Sequence, residues 1–169
     1  MTGREIPDPG FAGDTGEAGS ELLAALAAYA DGTGSQVDAL AAVRTSRLLV
    51  PVVAVLGEVE VDGDGLAHDK SSDMASVLLR GADGRMALLA FSGLSALRAW
   101  DPTARPVPVT ARTAAQAALQ DGAAALVVDV AGPASFVVEG QDLQGVARGW
   151  ALARVGGRSA WVATDTDQE

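Results

Sequence analysis

The residues best suited to chemistry form one polar segment, Asp69-Lys70-Ser71-Ser72-Asp73, which leads into an apolar run. Loops next to strands often carry binding groups, since the strand fixes the position of side chains that the loop exposes. Carboxylates, an ammonium group and hydroxyls could together bind a polar ligand or a partner. We therefore select Asp69, Lys70, Ser72 and Asp73 as candidate binding residues. The alternative is that these side chains bond to local backbone and fix the start of the strand.

Asp129 is a fifth candidate binding residue because it lies near the end of the apolar run 124–130. A carboxylate at the end of a buried strand must accept hydrogen bonds or have a shifted pKa. Such groups occur at catalytic and binding sites. The simpler interpretation is that Asp129 anchors the turn at Gly132-Pro133.

Known catalytic and cofactor-binding motifs are missing. His68 is the sole histidine, and although Asp69 follows it, the sequence has no Gly-x-Ser-x-Gly nucleophile elbow. Lys70 is the sole lysine and does not follow glycine in a phosphate-binding loop. The absence of cysteine excludes a thiolate nucleophile, a disulfide and a cysteine zinc site. We therefore predict no catalytic residue, no metal and no cofactor.

The acidity of the chain is regional. The net charge is −10, with acids concentrated in residues 1–31, 58–73 and 165–169, while the rest is weakly basic. This balance argues against a chain-wide surface for phosphate, so we expect no nucleic-acid partner. Residues 62–73 partly match a calcium loop, but Leu66 and Ala67 replace a ligand and the glycine of the sharp turn. A solvated acidic loop is the better interpretation.

Both ends of the chain have the composition of unfolded segments. Residues 1–19 mix glycine, proline and acids, and so bury too little surface to offset their ordering entropy. We predict a disordered acidic segment over 1–19, a single domain over 20–163 and a frayed acidic tail over 164–169. The start of the chain has no signal-peptide pattern, and the longest apolar run, 48–56, is too short to span a bilayer. We expect a cytoplasmic protein without a membrane partner.

The body alternates helix and strand patterns. Apolar spacing and caps predict helices over 21–30, 35–46, 92–100, 110–120 and 141–150, with Ser35 and Ser92 among the caps. Strands are predicted over 48–56, 124–130 and 135–138, and a hairpin over 74–91. For residues 152–163 a hairpin and an irregular extension stay open. The fold class is α+β: a single compact domain whose mixed β-sheet of five or six strands contains a hairpin and is covered by four or five helices.

The aromatic and basic residues outside these motifs indicate ordinary core and surface. Four aromatic side chains are expected to close the core: Phe91, Trp100, Phe136 and Trp150. Trp161 is expected to be the most exposed aromatic. The cluster of Arg148, Arg154 and Arg158 lacks interleaved aromatics and is expected to be solvated.

Several short segments, taken in their order and spacing, carry a family resemblance. They include Arg47-Leu-Leu-Val-Pro-Val-Val-Ala54, Asp69-Lys-Ser-Ser-Asp-Met-Ala75, Arg105-Pro-Val-Pro-Val109 and Val128-Asp-Val-Ala-Gly-Pro133. Together they resemble the SseB family, in its actinobacterial branch, over residues 20–150. The resemblance implies a compact cytoplasmic α+β domain built on the SseB N-terminal domain. It implies no reaction, cofactor or catalytic residue.

The leading functional hypothesis is a non-enzymatic binding or regulatory module that acts through an unidentified protein partner. The alternative is a small-molecule binding protein, including one for amino-acid-related ligands, or a weak enzyme that uses the polar segment 69–74. A concave pocket where several candidate side chains converge would favour the alternative. A third hypothesis is a homo-oligomer that pairs through an exposed sheet edge at residues 48–56.

Overall fold

The computed structural model describes residues 10–55 and 73–164. Within these ranges the chain forms five α-helices: α1 (Ser20–Asp31), α2 (Gln36–Arg44), α3 (Leu94–Trp100), α4 (Ala111–Gln120) and α5 (Gly140–Arg148). The same ranges contain nine strands: β1 (Arg47–Val55), β2 (Asp73–Ser76), β3 (Leu78–Arg80), β4 (Met86–Ala90), β5 (Arg105–Thr110), β6 (Ala125–Val128), β7 (Phe136–Glu139), β8 (Ala151–Val155) and β9 (Arg158–Val162). The predicted α+β fold class is confirmed, with more strands than expected.

Most strands belong to two groups, one of three strands and one of four. One group has the order β2-β1-β5, with both pairings antiparallel. The other has the order β3-β4-β6-β7, in which β4 and β6 run parallel and the outer pairs are antiparallel. Leu49 of β1 and Phe91, just after β4, exchange two backbone hydrogen bonds of 2.8 Å. This bridge sets the two groups of strands side by side.

The prediction that residues 48–56 form a sheet edge is wrong, because β1 pairs on both sides. Pro51 suggested an edge, since proline cannot donate a hydrogen bond to a neighbouring strand. In the structure Pro51 lies opposite Pro106 of β5, and the pairing with β2 begins only at Val52. The proline therefore occupies a part of β1 where only one neighbour is paired.

The predicted hairpin is confirmed around its turn, but its first arm divides between two groups of strands. Leu78–Arg80 pair with β4, and the N–H of Gly81 donates to the carbonyl oxygen of Arg85 at 2.8 Å. Asp73–Ser76 pair with β1 instead. Because the strand is interrupted at Val77, one apolar run contributes β2 to the first group of strands and β3 to the second.

The four-stranded group is covered unequally on its two faces. Alternate residues of the parallel strands, such as Leu88 and Leu126, are 0% exposed and pack in a large core with α1, α2, α4 and α5. The intervening residues face the other way. There Leu89 packs with Phe91 and with Leu97 of α3 in a smaller cluster. The short helix α3 therefore covers part of that second face.

Two predicted helix caps have different outcomes. Ser35 caps α2 as expected, because its side chain accepts from the N–H of Asp38 while the Asp38 carboxylate accepts from the N–H of Ser35. The Ser35 hydroxyl also lowers the pKa of Asp38. Ser92 does not cap α3: the N-cap is Gly93, and the Ser92 hydroxyl has a distant partner described below.

Residues 151–162 form a hairpin of strands β8 and β9. Of the two structures that the sequence left open, a hairpin and an irregular extension, the hairpin is therefore the one observed. The expectation that Trp161 is the most exposed aromatic residue is wrong, because Trp161 is half-buried whereas Tyr29 is 38% exposed. The Trp161 indole N–H donates to the Asp142 carboxylate at 2.8 Å, and its ring packs against the Gly145 backbone. These contacts, which are invisible to local composition, fix the hairpin to α5.

Replacing Gly145 with alanine is expected to destabilise the fold by about 1–3 kcal/mol. A Cβ at this position would lie 2.1 Å from the Trp161 ring, which cannot withdraw without losing its bond to Asp142. Urea unfolding of Gly145→Ala measures the loss. The matched control is Gln144→Ala, an exposed position of the same helix, which should change stability by less than about 0.5 kcal/mol. Equal stabilities of the two variants would contradict this packing.

Candidate functional site

The polar segment selected from the sequence lies mostly outside the described residues. This applies to Asp69, Lys70 and Ser72, so their role in binding stays a prediction. Asp73 is the first residue of β2, where its backbone lies opposite Val55. The described part of the chain therefore places only Asp129 of the five candidates in full.

Asp129 forms a buried pair with Ser92. Asp129 is 6% exposed and Ser92 2%. The Ser92 N–H donates to Oδ1 of Asp129 at 2.8 Å, and the Ser92 hydroxyl donates to Oδ2 at 2.7 Å. Each oxygen of the carboxylate thus accepts a hydrogen bond, as burial of a charged group requires.

The backbone of Asp129 explains how its side chain reaches Ser92. Its φ of 54° lies in the left-handed region, which aspartate tolerates better than most residues. Its N–H donates to Ala90 at 3.0 Å, and its carbonyl oxygen accepts from Gly132 at 2.9 Å. The carboxylate therefore does not anchor the turn at Gly132-Pro133, as the sequence suggested. The backbone carbonyl holds that turn, and the carboxylate binds the neighbouring strand end.

Arg47, at the start of β1, extends this polar network to the residues before α1. It donates to the Ser92 carbonyl oxygen at 3.1 Å and forms an ion pair with Asp14 at 2.7 Å. It also donates to the Glu17 carbonyl oxygen. The carbonyl oxygen of Gly16 accepts from the N–H of Leu94 at 2.7 Å, at the start of α3. The network thus connects the residues preceding α1, strand β1 and the ends of β4 and β6.

The polar groups of this buried network bond to one another. Among the described residues, no buried side-chain nitrogen or oxygen is left without a hydrogen-bond partner. No group of three or more acidic or histidine side chains there could hold a metal ion. The Ser92 hydroxyl donates to a carboxylate that is itself almost fully buried, so neither group is presented to a substrate.

The candidate site is instead a groove on the second face of the four-stranded group. The register places Leu79, Ala87, Ala125 and Glu139 in one row across this face. The groove has a volume of about 380 Å³ and is lined mainly by apolar atoms of β3, β4, β6 and β7. Leu79 is 43% exposed and Val137, on the opposite side, is 45% exposed. We call this surface the sheet groove.

Three charged side chains form the rim of the sheet groove. Arg85 bonds to Asp83 at 2.5 Å and to Glu139 at 3.0 Å. The hydrogen bond from the Arg85 side chain lowers the pKa of Asp83. In turn, the hydrogen bonds to Asp83 and then to Glu139 raise the pKa of Arg85, with Asp83 having the larger effect. All three are about half exposed, so the pairs add little stability. They place fixed charges of both signs beside an apolar floor.

Comparison with known proteins identifies the family of this chain. The family model described as SseB protein N-terminal domain matches residues 20–145. The chain belongs to the SseB N-terminal domain family. The match runs from the start of α1 into α5 and contains both the Ser92–Asp129 pair and the sheet groove of this SseB domain. No curated protein and no solved structure matches the chain.

The sequence contained a weak signal for the sheet groove of the SseB domain. In β7, Phe136 and Val138 are buried while Val137 and Glu139 are exposed, an alternation typical of a sheet with one open face. Strands β4 and β6 are continuously apolar, which predicts burial on both faces and hides the opening.

No helix in the described ranges is long and apolar enough to cross a membrane.

Removing the Asp129 carboxylate is expected to cost about 2–4 kcal/mol of unfolding free energy, because the N–H and hydroxyl of Ser92 would stay buried without a partner. Asp129→Asn should cost less than Asp129→Ala, since asparagine also tolerates the left-handed backbone and keeps an acceptor oxygen. Urea unfolding measures both variants.

The control for this pair is a double-mutant cycle with Ser92→Ala, with the exposed Ser95→Ala as a neutral reference. The cycle should give a coupling energy above about 1 kcal/mol between positions 92 and 129. Additive effects would show that the pair does not act as a unit.

Proposed function

We propose that this SseB domain is a non-enzymatic protein-binding module and that its sheet groove binds one amphipathic helix of a partner protein. The observation that carries the proposal is the apolar, half-open second face of the sheet, with Leu79 and Val137 exposed on its two sides. Contiguous exposed apolar surface that is rimmed by polar residues is typical of protein interaction sites.

The dimensions of the sheet groove suit a helix. Leu79 and Val137 stand on strands separated by three interstrand spacings, which is about 14 Å. A helix with its side chains is about 10–12 Å across. The floor between them carries Ala87 and Ala125, whose short side chains allow a helix backbone to approach.

The neighbouring cover of the same face supports a helical partner. Helix α3 packs on this face through Leu94, Leu97 and Trp100. It has seven residues, and Val127, which packs against the cluster that contains these side chains, also lines the sheet groove. A partner helix placed beside α3 would continue an existing helix-on-sheet layer. The rim charges of Arg85 and Glu139 would then lie beside the polar flanks of that helix.

A small-molecule site has less support in the described part of the chain. The alternative uses the polar segment 69–74, most of which lies outside the described residues, and Asp129, a further candidate, has its carboxylate buried on Ser92. The sheet groove offers a ligand few polar groups, because its three charged residues are paired with one another.

The cytoplasmic location and the actinobacterial branch stay predictions.

Site-specific photo-crosslinking in cells that contain this protein tests the proposal. A benzophenone amino acid is placed at Leu79 or Val137, with Val107 of β5, which is 38% exposed, as the matched control. We expect one protein adduct at positions 79 and 137 that is absent at 107. The crosslinked segment should carry apolar residues at helical spacing, and as a synthetic peptide it should gain helix on binding the pure domain.

Leu79→Asp should weaken binding of that peptide at least about tenfold, since a charge would replace an apolar contact at one side of the sheet groove. Val107→Asp should leave the affinity unchanged. Adducts only to a second copy of the chain, equal adducts at all three positions, or a crosslinked segment without helical apolar spacing would each overturn the proposal.

A further inference from the structure

The nine residues before α1 lie against the start of β1 and the start of α3, and we call residues 11–19 the strap. Arg47 of β1 holds the strap through the Asp14 carboxylate: its Nε lies 2.7 Å from Oδ2, and its Nη2 donates to Oδ1 at 3.1 Å. A planar guanidinium commonly recognises a carboxylate through such a paired contact. The Arg47 side chain is 16% exposed and that of Asp14 is 15% exposed, so solvent screens this ion pair less than a surface pair.

Backbone contacts make the next part of the strap specific for glycine. The Gly16 N–H donates to Oδ1 of Asp14 at 2.6 Å, and the Gly16 carbonyl oxygen accepts from the Leu94 N–H at 2.7 Å. Gly16 has a φ of 78°, in the left-handed region that favours glycine, and a Cβ there would overlap the Leu94 side chain. A Cβ on Gly93 would lie 2.7 Å from a backbone nitrogen of the strap. Arg47, Gly93 and Leu94 thus form a surface, which we call the strap seat, that fits the pattern Asp-x-Gly.

The middle residue of this pattern, Thr15, borders a cavity of about 190 Å³. The cavity is lined mainly by apolar atoms, with four apolar residues on its walls: Leu49, Leu94, Pro106 and Pro108. Thr15 is exposed and its side chain is short and polar, so it buries little apolar surface there. A larger apolar residue in its place would bury its side chain against these walls. The strap therefore leaves part of the binding surface beside its seat unused.

Few buried contacts keep the strap in place. Among residues 11–19 only Gly16 is buried. Segments with few buried apolar contacts open at free energies well below that of global unfolding. Arg47, Gly93 and Leu94 lie within the family match, whereas the strap precedes it. We therefore expect the strap to leave its seat while the SseB domain stays folded.

We propose that the strap seat binds an extended acidic segment of a partner protein with the pattern Asp-x-Gly, where x is a large apolar residue, and that the strap is a built-in competitor of this segment. The carboxylate of the segment takes the place of Asp14 on Arg47, and its apolar side chain fills the cavity beside Thr15. The covalent tether gives the strap an effective concentration in the millimolar range. Filling of the cavity supplies the extra affinity with which the segment displaces the strap. No residue of the sheet groove takes part, so this site and the proposed function can fail separately.

Native-state hydrogen exchange of the full chain tests whether the strap opens by itself. The Leu94 amide donates to Gly16 of the strap, whereas the nearby Ser92 amide donates to the buried Asp129. We expect the protection factor of the Leu94 amide to be at least about a hundredfold smaller than that of the Ser92 amide, because strap opening exposes only the first.

Two variants of the strap should change this protection in opposite directions. Asp14→Asn should lower the protection factor of the Leu94 amide about tenfold further, because the charge of the paired contact is lost. Thr15→Leu should raise it, because leucine fills the cavity. The matched control is Asp31→Asn, which changes an aspartate that bonds to Thr33 and should leave the Leu94 amide unaffected.

A synthetic peptide of residues 11–19 that carries the Thr15→Leu change is the probe for binding from another molecule. In fluorescence anisotropy it should bind the full chain with Asp14→Asn at least about tenfold more tightly than the natural chain, whose intact strap competes. In the peptide, Asp14→Asn and Gly16→Ala should each weaken binding at least about tenfold, the first by loss of the carboxylate and the second by overlap with the strap seat. Adding Arg47→Lys to that chain, with its fold checked by thermal unfolding, should weaken binding to a similar extent, because an ammonium group cannot form the paired contact.

Equal protection of the Leu94 and Ser92 amides would overturn the proposal, since the strap would then open only with the whole domain. So would a peptide that does not bind, or one that binds equally well without its carboxylate or its glycine. Chains that exchange straps with one another, seen as a mass that rises with protein concentration in light scattering, would make a second copy the occupant and would contradict a site for a partner protein.

Discussion

Two hydrogen bonds from Ser92 to the Asp129 carboxylate join the ends of the two parallel strands in the middle of the domain. Hydrogen bonds to a charged acceptor contribute about 1.5–3 kcal/mol each, and breaking them leaves buried polar groups unpaired. The Ser92 carbonyl oxygen also accepts a hydrogen bond from Arg47, which forms an ion pair with Asp14. The ends of β4 and β6, the start of β1 and the chain before α1 therefore depend on one buried carboxylate.

This arrangement explains why the sheet has one closed and one open face. Four helices pack on the side of Leu88 and Leu126. On the other side the chain turns at Ser92 directly into the short helix α3, which covers Phe91 and Leu89 and then ends at Trp100. The remaining apolar surface, between Leu79 and Val137, stays partly exposed in the described structure, and it is the surface that we propose a partner covers.

The sequence predicted the parts of this structure that depend on local patterns. The Ser35 cap, the alanine-rich α4 and the turn before Arg85 were found because each depends on neighbouring residues. Long-range partners were not found: the hydroxyl of Ser92 bonds 37 positions away, and the ring of Trp161 packs on α5. The sheet groove was missed because continuous apolar strands give no sign of which face is open.

Hydrogen exchange at the Ser92 amide tests most directly the claim that the Ser92–Asp129 pair holds the fold together. Its N–H donates to the buried Asp129 carboxylate, so the amide should exchange only when the whole domain unfolds. We predict a free energy of opening equal to the global value and to that of the core amides of β4. Opening at a free energy several kcal/mol below the global value would show a locally mobile pair and would contradict the account.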